Sequence, residues 1–135
     1  MKNLTPQDIY PPFAKYSHGV LVPEGWQLLF CSGQLGIAPD GEIPADVSGQ
    51  CELCFANIGS VLAAAGMSLS HVVRINAYLT RREDLADYMA VRDRLFGAPP
   101  PASTLMLVSG FAREDFKVEV EAIAAGPAVH DDKGP

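Results

Sequence analysis

Two stretches of the chain predict helices, and each lies between segments that predict strands. This order constrains the fold more than any other feature. Apolar residues at helical spacing cover about Asp46 to Ala65 and about Glu83 to Phe96. The strand segments show alternation or short apolar runs, and they lie at 18–36, 71–80, 103–109 and 117–124. The first of them contains a turn signal, "PEG" at 23–25, so it predicts a β-hairpin. The order is therefore ββαβαββ, an α+β domain with parallel strand pairs across the helical crossovers.

The sheet is predicted to carry both helices on one face and to leave the other face uncovered. Alternation turns the small apolar set of the last strand towards the helices and turns Glu119 and Glu121 away from them. Residues of other strands join the uncovered face: Leu28, Phe30, Arg74, Asn76 and Tyr78. A face that mixes aromatic groups with carboxylates predicts a subunit interface with polar pockets in it. The alternative is a solvated sheet face.

Composition and charge exclude several classes of protein. A chain of 135 residues predicts one domain, taken as 1–126, and the polar stretch 127–135 predicts a disordered tail. No apolar run approaches a membrane span, and the N-terminus lacks a signal peptide, so a cytoplasmic protein without a membrane partner is expected. The net charge of −6 argues against a nucleic-acid partner, because phosphate binding needs clustered Lys and Arg.

The three cysteines, Cys31, Cys51 and Cys54, predict reduced thiols, since their number is odd and no secretion signal is present. The "CELC" pair lies within the first predicted helix, after a full turn, rather than at a helix start where a redox thiol is activated. A zinc site would need a second pair of ligands, and the histidines are scattered along the chain. Buried thiols on a helix face are therefore expected, with no metal.

The stretch "PPPASTLMLV" at 99–108 enters a strand through three prolines. Proline ends a helix and restricts the preceding residue to extended conformations. The chain therefore becomes a strand at Ser103 in a rigid, extended conformation.

Four segments resemble the RidA family, also called YjgF/YER057c/UK114, over about residues 10–125. They are "AKYSHGV" at 14–20, "CSGQLGIAPDGEIPADVSGQ" at 31–50, "VVRINAYLTRREDLADYMAVRDRLF" at 72–96 and "PPPASTLMLVSGFAREDFKVEVEAIA" at 99–124. The resemblance implies a chorismate-mutase-like α+β fold and a homotrimer with small-molecule clefts between subunits. It also implies hydrolysis of 2-imino or enamine acids to ammonia and 2-keto acids, with no cofactor and no metal.

The resemblance also assigns candidate site residues. Tyr16 matches a tyrosine of the cleft, and Ser32 and Gly33 match a Ser-Gly pair whose hydroxyl or amide faces the ligand. Glu119 matches the acidic residue that holds or activates the attacking water. Leu105 stands where many members have a cysteine in the cleft.

Ser103 departs from the family, which has an arginine at this position that binds the substrate carboxylate. A guanidinium binds a carboxylate through two parallel hydrogen bonds, whereas serine offers one neutral donor on a short side chain. Arg74 is the best substitute by strand alternation, ahead of Arg92 and Arg113. Its alternative role is an ion pair with a carboxylate of the last strand.

Other interpretations of these residues stay open. Glu119 and Glu121 can be interface salt-bridge residues, and His18 is expected to be a partly exposed histidine on an edge strand. Ser32 lacks the context of a catalytic serine. Two functions are expected from the sequence: a RidA-like hydrolase with an altered substrate, or a non-catalytic small-molecule-binding or interaction protein that has lost the deaminase reaction.

Overall fold

A computed structural model describes residues 1–128 of the chain. Two helices and six strands follow one another in the order β1 Lys2–Leu4, β2 Gly19–Leu21, β3 Trp26–Leu35, α1 Val47–Ala64, β4 Val72–Leu79, α2 Leu85–Leu95, β5 Ala102–Leu107 and β6 Val118–Pro127. Within the described residues, neither helix combines the length and apolar character that crossing a membrane requires.

The main sheet has four strands in the order β3-β6-β4-β5. The crossover through α2 makes β4 and β5 parallel neighbours, as predicted. Strand β6 pairs antiparallel with both β3 and β4, so β3 and β4 also run parallel to each other with β6 between them. Strands β3 and β5 therefore form the two opposite edges of this sheet. The α+β fold with a mixed sheet is confirmed.

Both helices pack on one face of the sheet, and this face holds the core. Asp46 caps α1, because its carboxylate accepts a hydrogen bond from the Gly49 amide at 3.1 Å. Helix side chains such as Phe55 and Ile58 meet the alternate residues of β4 and β6, which are fully or nearly buried. That alternate set is Ile75, Ala77, Leu79, Val118, Val120, Ala122 and Ala124.

Within residues 1–128, the opposite sheet face carries no helix, as predicted. Leu28, Phe30 and Met106 are 54%, 72% and 55% exposed there, a large apolar surface for a single chain. Glu119 and Glu121 also lie on this face and are partly buried. We call this surface, from β3 across β6 and β4 to β5, the open face.

A buried glutamine in α1 fixes the loop between β5 and β6. Gln50 is fully buried, and its amide donates hydrogen bonds to the carbonyls of Pro44 at 2.9 Å and Asp115 at 2.8 Å. Its carbonyl accepts from the Lys117 amide at 2.8 Å. All polar atoms of this side chain are thus satisfied, which makes its burial tolerable.

Two sequence predictions need correction or limitation. The predicted hairpin is wrong, because β2 pairs antiparallel with the short N-terminal strand β1, while β3 pairs with β6. The last strand is longer than predicted and continues to Pro127, whereas the domain bounds of 1–126 stay a prediction. The rest of the predicted disordered tail, 129–135, lies outside the described residues.

Candidate active site at the two sheet edges

A β-bulge in β3 places two predicted site residues beside Glu119. Cys31 pairs with Ala122 and Gln34 with Val120, so Ser32 and Gly33 lie opposite a single residue of β6. The carboxylate of Glu119 lies against the Gly33 backbone so closely that a Cβ on Gly33 would be 2.2 Å from Oε1. Only glycine fits at this position while Glu119 keeps its conformation.

The Glu119 carboxylate is half-buried and free to accept hydrogen bonds. Among residues 1–128 no side chain donates to it and no ion pair includes it, unlike Glu121 two residues further along β6. An ionised carboxylate accepts through two oxygens and can hold a water molecule or a ligand N–H group. The arrangement therefore suits a group that orients water on the open face.

Glu121 is engaged by its neighbours on β4. The Tyr78 hydroxyl donates to Oε1 of Glu121 at 2.6 Å, and the Asn76 amide donates to the same oxygen at 3.2 Å. The hydrogen bond to Glu121 raises the pKa of Tyr78, because ionised tyrosine could no longer donate. A shallow cavity of about 300 Å³ adjoins this cluster, and its lining is Phe30, Cys31, Ser32, Asn76, Glu121, Ala122 and Ile123.

Arg74 does not pair with either carboxylate of β6. Its guanidinium donates to the Thr104 hydroxyl at 2.8 Å, so it lies over β5 on the open face. Ser103 and Leu105 are in register with Ile75 and Ala77, which both face the helices. Within one chain, Arg74 and the two predicted site residues of β5 therefore lie on opposite faces of the sheet.

The other two arginines considered as substitutes are engaged elsewhere. Arg92 is buried in α2, where its guanidinium pairs with Asp93 at 2.9 Å and lies near the Tyr88 ring. Arg113 lies over the ring of Phe116, 5.0 Å from the centroid. Both guanidinium groups therefore have partners other than the residues of β5 within this chain.

Tyr16 reaches the outer edge of β5 through an isolated strand-like contact. Ser17 forms a parallel bridge with Ala102, and the Ser17 amide donates to the Pro101 carbonyl at 3.0 Å. Tyr16 therefore lies beside the proline run, and its ring packs edge-on against His18 with the centroids 5.9 Å apart. Tyr16 and Ser103 thus belong to the same edge of the sheet.

The predicted site residues form two groups that one chain does not bring together. Ser32, Gly33 and Glu119 lie at the β3 edge, whereas Tyr16 and Ser103 lie at the β5 edge. Three strand spacings separate β3 from β5, which is about 14 Å. Each edge holds part of the predicted set of residues, and neither holds all of it.

Cys51 and Cys54 lie on the first helix, as predicted, and outside both groups, whereas Cys31 directly precedes Ser32 in β3. Cys31, Cys51 and Cys54 are buried and unpaired thiols. Burial raises the pKa of Cys51 to about 12 and also raises the pKa of Cys54, so both stay protonated and unreactive. In the described part of the chain, no cluster of three or more His, Cys, Asp or Glu residues is placed to bind a metal ion.

Sequence reasoning missed the residues that hold the β5 edge. Asn3, Lys15 and Ser17 all make hydrogen bonds to backbone carbonyls in the segment 93–100. Each is a common polar residue in a stretch without periodicity, so no pattern in the sequence singles it out. One signal was available, since a proline run has carbonyl acceptors and needs donors from elsewhere.

The fold and the candidate site define a class of protein. It is a small chorismate-mutase-like domain whose sheet has one open face and carries the predicted site residues at two opposite edges. A sequence model of the family described as "Endoribonuclease L-PSP" matches residues 7–126. The chain belongs to this family, which is the RidA/YjgF family that the sequence resembles.

Individual relatives cover most of the chain. Protein DfrA of Myxococcus xanthus is 40% identical over 81% of this chain and 83% of its own length. The protein named "Putative reactive intermediate deaminase TdcF" of Escherichia coli is 33% identical over 75% of this chain and 81% of its own. The chain is thus similar to a protein whose name includes deaminase.

Solved structures have the same fold. The Rid-family protein YyfB of Yersinia pestis, described as of unknown function, has a TM-score of 0.81 at 30% identity, covering 91% of this chain and 96% of its own. E. coli TdcF with bound serine has a TM-score of 0.70 at 32% identity, covering 90% of this chain and 93% of its own.

Proposed function

We propose that this protein hydrolyses the C=N bond of a small imine, or of the imine tautomer of an enamine, in clefts between the subunits of a homotrimer. The observation that carries the proposal is the division of the site between opposite edges of one sheet. A head-to-tail interface places the β3 edge of one copy beside the β5 edge of the next and closes into a ring. Such a ring unites Glu119 and Gly33 of one chain with Tyr16 and Ser103 of another.

The open face supports the same assembly. Exposed Leu28, Phe30 and Met106 form an apolar surface, and Glu121 is already satisfied by Tyr78 and Asn76. Burying a carboxylate in an interface costs much less free energy when hydrogen-bond donors of the same chain already bind it. The apolar side chains then supply the burial that stabilises association.

Glu119 is the residue that orients water in this proposal. Its free carboxylate accepts a proton from water as the water oxygen bonds to the imine carbon. Glu119 returns this proton to the nitrogen, which gives the neutral carbinolamine. The carbinolamine hydroxyl then loses its proton to the nitrogen as the C=O bond forms and the C–N bond breaks, so the nitrogen leaves as ammonia. One imine and one water thus give one carbonyl compound and one ammonia. Gly33 leaves room for the carboxylate, and its backbone and Ser32 face the ligand.

Ser103 sets the substrate class. The family arginine at this position binds a carboxylate, and a hydrogen bond to a charged group contributes about 1.5–3 kcal/mol. Serine does not replace it, and Leu105 makes the neighbouring position on the same side of β5 apolar. The proposed substrate is therefore an imine or enamine that lacks a carboxylate next to the reacting carbon.

A second candidate function is binding without catalysis. The absence of an arginine at position 103, with Arg74 engaged by Thr104 on the other face, favours it. This protein would keep the trimer and the cleft and would have lost the deaminase reaction. RNA cleavage, which the family description mentions, is disfavoured by the net charge of −6.

Ammonia release from freshly generated imines, compared between wild type and Glu119→Gln, tests the proposal. Glu119→Gln is expected to lower kcat by at least about 100-fold, because it removes the general base. Glu24→Gln, on an exposed turn, is the control and should match wild type. Ammonia release that is equal in wild type and Glu119→Gln would exclude the proposed role of Glu119, and a wild-type rate no higher than in buffer would favour the binding protein.

A further inference from the structure

The proline run that leads into β5 cannot hold itself in place by hydrogen bonds. Residues 99–101 are all proline, so this stretch has three carbonyl acceptors and no N–H donor. Its position depends on donors from other parts of the chain. Because the run ends one residue before Ala102 begins β5, those donors also set where Ser103 lies.

Two side chains donate to the Pro100 carbonyl, and the Ser17 backbone amide donates to the Pro101 carbonyl at 3.0 Å. The Asn3 amide donates to the Pro100 carbonyl at 2.9 Å and to Ser17 Oγ at 3.0 Å. The Ser17 hydroxyl donates to the same Pro100 carbonyl at 2.6 Å, and Ser17 is 4% exposed. Together they form a closed triangle of hydrogen bonds that ties β1 and the segment before β2 to the proline run.

The same segment is anchored on the other side of Tyr16. The Lys15 ammonium donates to the carbonyls of Asp93 at 3.1 Å and Phe96 at 2.6 Å, at the C-terminal end of α2. Carbonyls at a helix C-terminus lack partners within the helix and favour a cation. Tyr16 is thus held between two residues whose side chains are fixed to 93–100.

We infer that Asn3 and Ser17 are positioning residues that fix Tyr16 against the start of β5, so that strand β1 completes the β5 half of the candidate site. The family match begins at residue 7, so Asn3 acts from outside the matched segment. Loss of either side chain breaks the triangle and leaves the Pro100 carbonyl with one donor instead of two, so Tyr16 is held less firmly against Ser103. The inference rests on the proposed function only for its effect on catalysis.

Fluorine NMR of the full-length chain labelled with 3-fluorotyrosine tests this arrangement, with Tyr16→Phe to assign the Tyr16 signal. Asn3→Asp keeps the size of the side chain and removes both donors, and Ser17→Ala removes the hydroxyl. Ser17→Thr keeps the hydroxyl and is the conservative variant. Ser60→Ala, at an exposed position of α1, is the control.

Asn3→Asp and Ser17→Ala are expected to shift or broaden the Tyr16 fluorine signal and, in an amide spectrum of protein labelled uniformly with heavy nitrogen, the backbone amide signal of Ser103. The signal of buried Tyr88 should stay in place and show that the core is intact. Ser17→Thr should restore the wild-type Tyr16 signal, which a general loss of stability would not predict. Unchanged Tyr16 and Ser103 signals in both donor variants would overturn the inference.

A kinetic readout separates the inference from the proposed function. In imine hydrolysis, Asn3→Asp and Ser17→Ala should each lower kcat/KM about tenfold, the factor that corresponds to about 1.4 kcal/mol, the scale of one hydrogen bond. If the wild-type protein does not hydrolyse imines, the proposed function fails, while the NMR signals still decide whether Asn3 and Ser17 position Tyr16.

Discussion

Gly33→Ala is expected to displace the Glu119 carboxylate while leaving the sheet intact. The added methyl carbon would lie 2.2 Å from Oε1, 2.9 Å from the carboxyl carbon and 3.1 Å from Cγ of Glu119. Non-bonded heavy atoms prefer a separation of roughly 3.5 Å. The nearer carboxylate oxygen must therefore move by about 1 Å, since the ladder pairs of Cys31 and Gln34 flank the bulge and limit the movement of the Gly33 backbone.

The cost in stability should be small and the cost in activity large. Glu119 is half-buried and its carboxylate has no internal partner, so it can rotate away at about 0.5–1.5 kcal/mol for a strained side-chain angle. A displacement of 1 Å at a reacting group can lower the rate about 100-fold. Activity should therefore fall far more than the free energy of unfolding.

Urea unfolding of Gly33→Ala, in wild-type and Glu119→Ala backgrounds, isolates the contact. With Glu119 present the substitution should destabilise the fold, and with Glu119 removed the penalty should disappear. Gly59→Ala, a helical position where a methyl group meets no atom within 4 Å, is the control and should gain about 0.5–1 kcal/mol. An equal penalty in both backgrounds, or wild-type activity in Gly33→Ala, would refute the account of this contact.

Three further predictions concern the open face and the thiols. Phe30→Glu should convert the proposed trimer to monomers in light scattering, because it buries a charge in an apolar interface; an unchanged mass would exclude Phe30 from the interface. The hydrogen bond to Glu121 raises the pKa of Tyr78, so this pair contributes its full stability at pH values below 10.0, the ordinary pKa of tyrosine. The contribution is lost as the pH rises through the higher pKa of Tyr78 in the folded protein. Glu121→Gln should lower the pKa of Tyr78 in an ultraviolet titration, and no change would mean that Glu121 is not the cause. Cys51 and Cys54 should react with a disulfide reagent only after unfolding, because burial keeps both thiols protonated; rapid reaction of the native protein would contradict their burial.

The order of the elements from β2 onward and the two sheet faces could be predicted because they depend on local periodicity, whereas β1 was not predicted. The alternation of "KVEVEAIA" separates buried Val118 and Val120 from Glu119 and Glu121, and the structure shows the same division. The helical stripe of α1 likewise identified Cys51 as a buried thiol. In each case a single element carries the whole signal.

The hairpin prediction was wrong because strand pairing is a contact between two elements, and the periodicity of one element does not specify its partner. A turn signal at 23–25 favours a reversal of the chain, yet β2 finds its partner in β1, a strand of three residues that is too short to show a pattern. Gln50 was missed for a related reason. Its three hydrogen bonds go to residues 44, 115 and 117, which only the folded chain brings together.

The site could be predicted in part. The family resemblance identified Ser32, Gly33 and Glu119, and the structure places them side by side across the β3 bulge. It did not reveal that Ser103 and Arg74 face opposite sides of the sheet, because that depends on the register between β4 and β5. Of the residues that hold the β5 edge, Asn3 lies outside the segments that resemble the family, and Lys15 and Ser17 lie within "AKYSHGV", which did not single them out.

Ammonia release from 2-iminopropionate by Ser103→Arg, relative to wild type, measures whether the residue at position 103 decides which imine the cleft accepts. Restoring the guanidinium is expected to raise kcat/KM about 10- to 150-fold, the factor that corresponds to the 1.5–3 kcal/mol of a hydrogen bond to a charged group. Wild type should in turn prefer an imine without a carboxylate. If Ser103→Arg releases no more ammonia than wild type, and neither protein exceeds the rate in buffer with any imine, the cleft does not perform this chemistry.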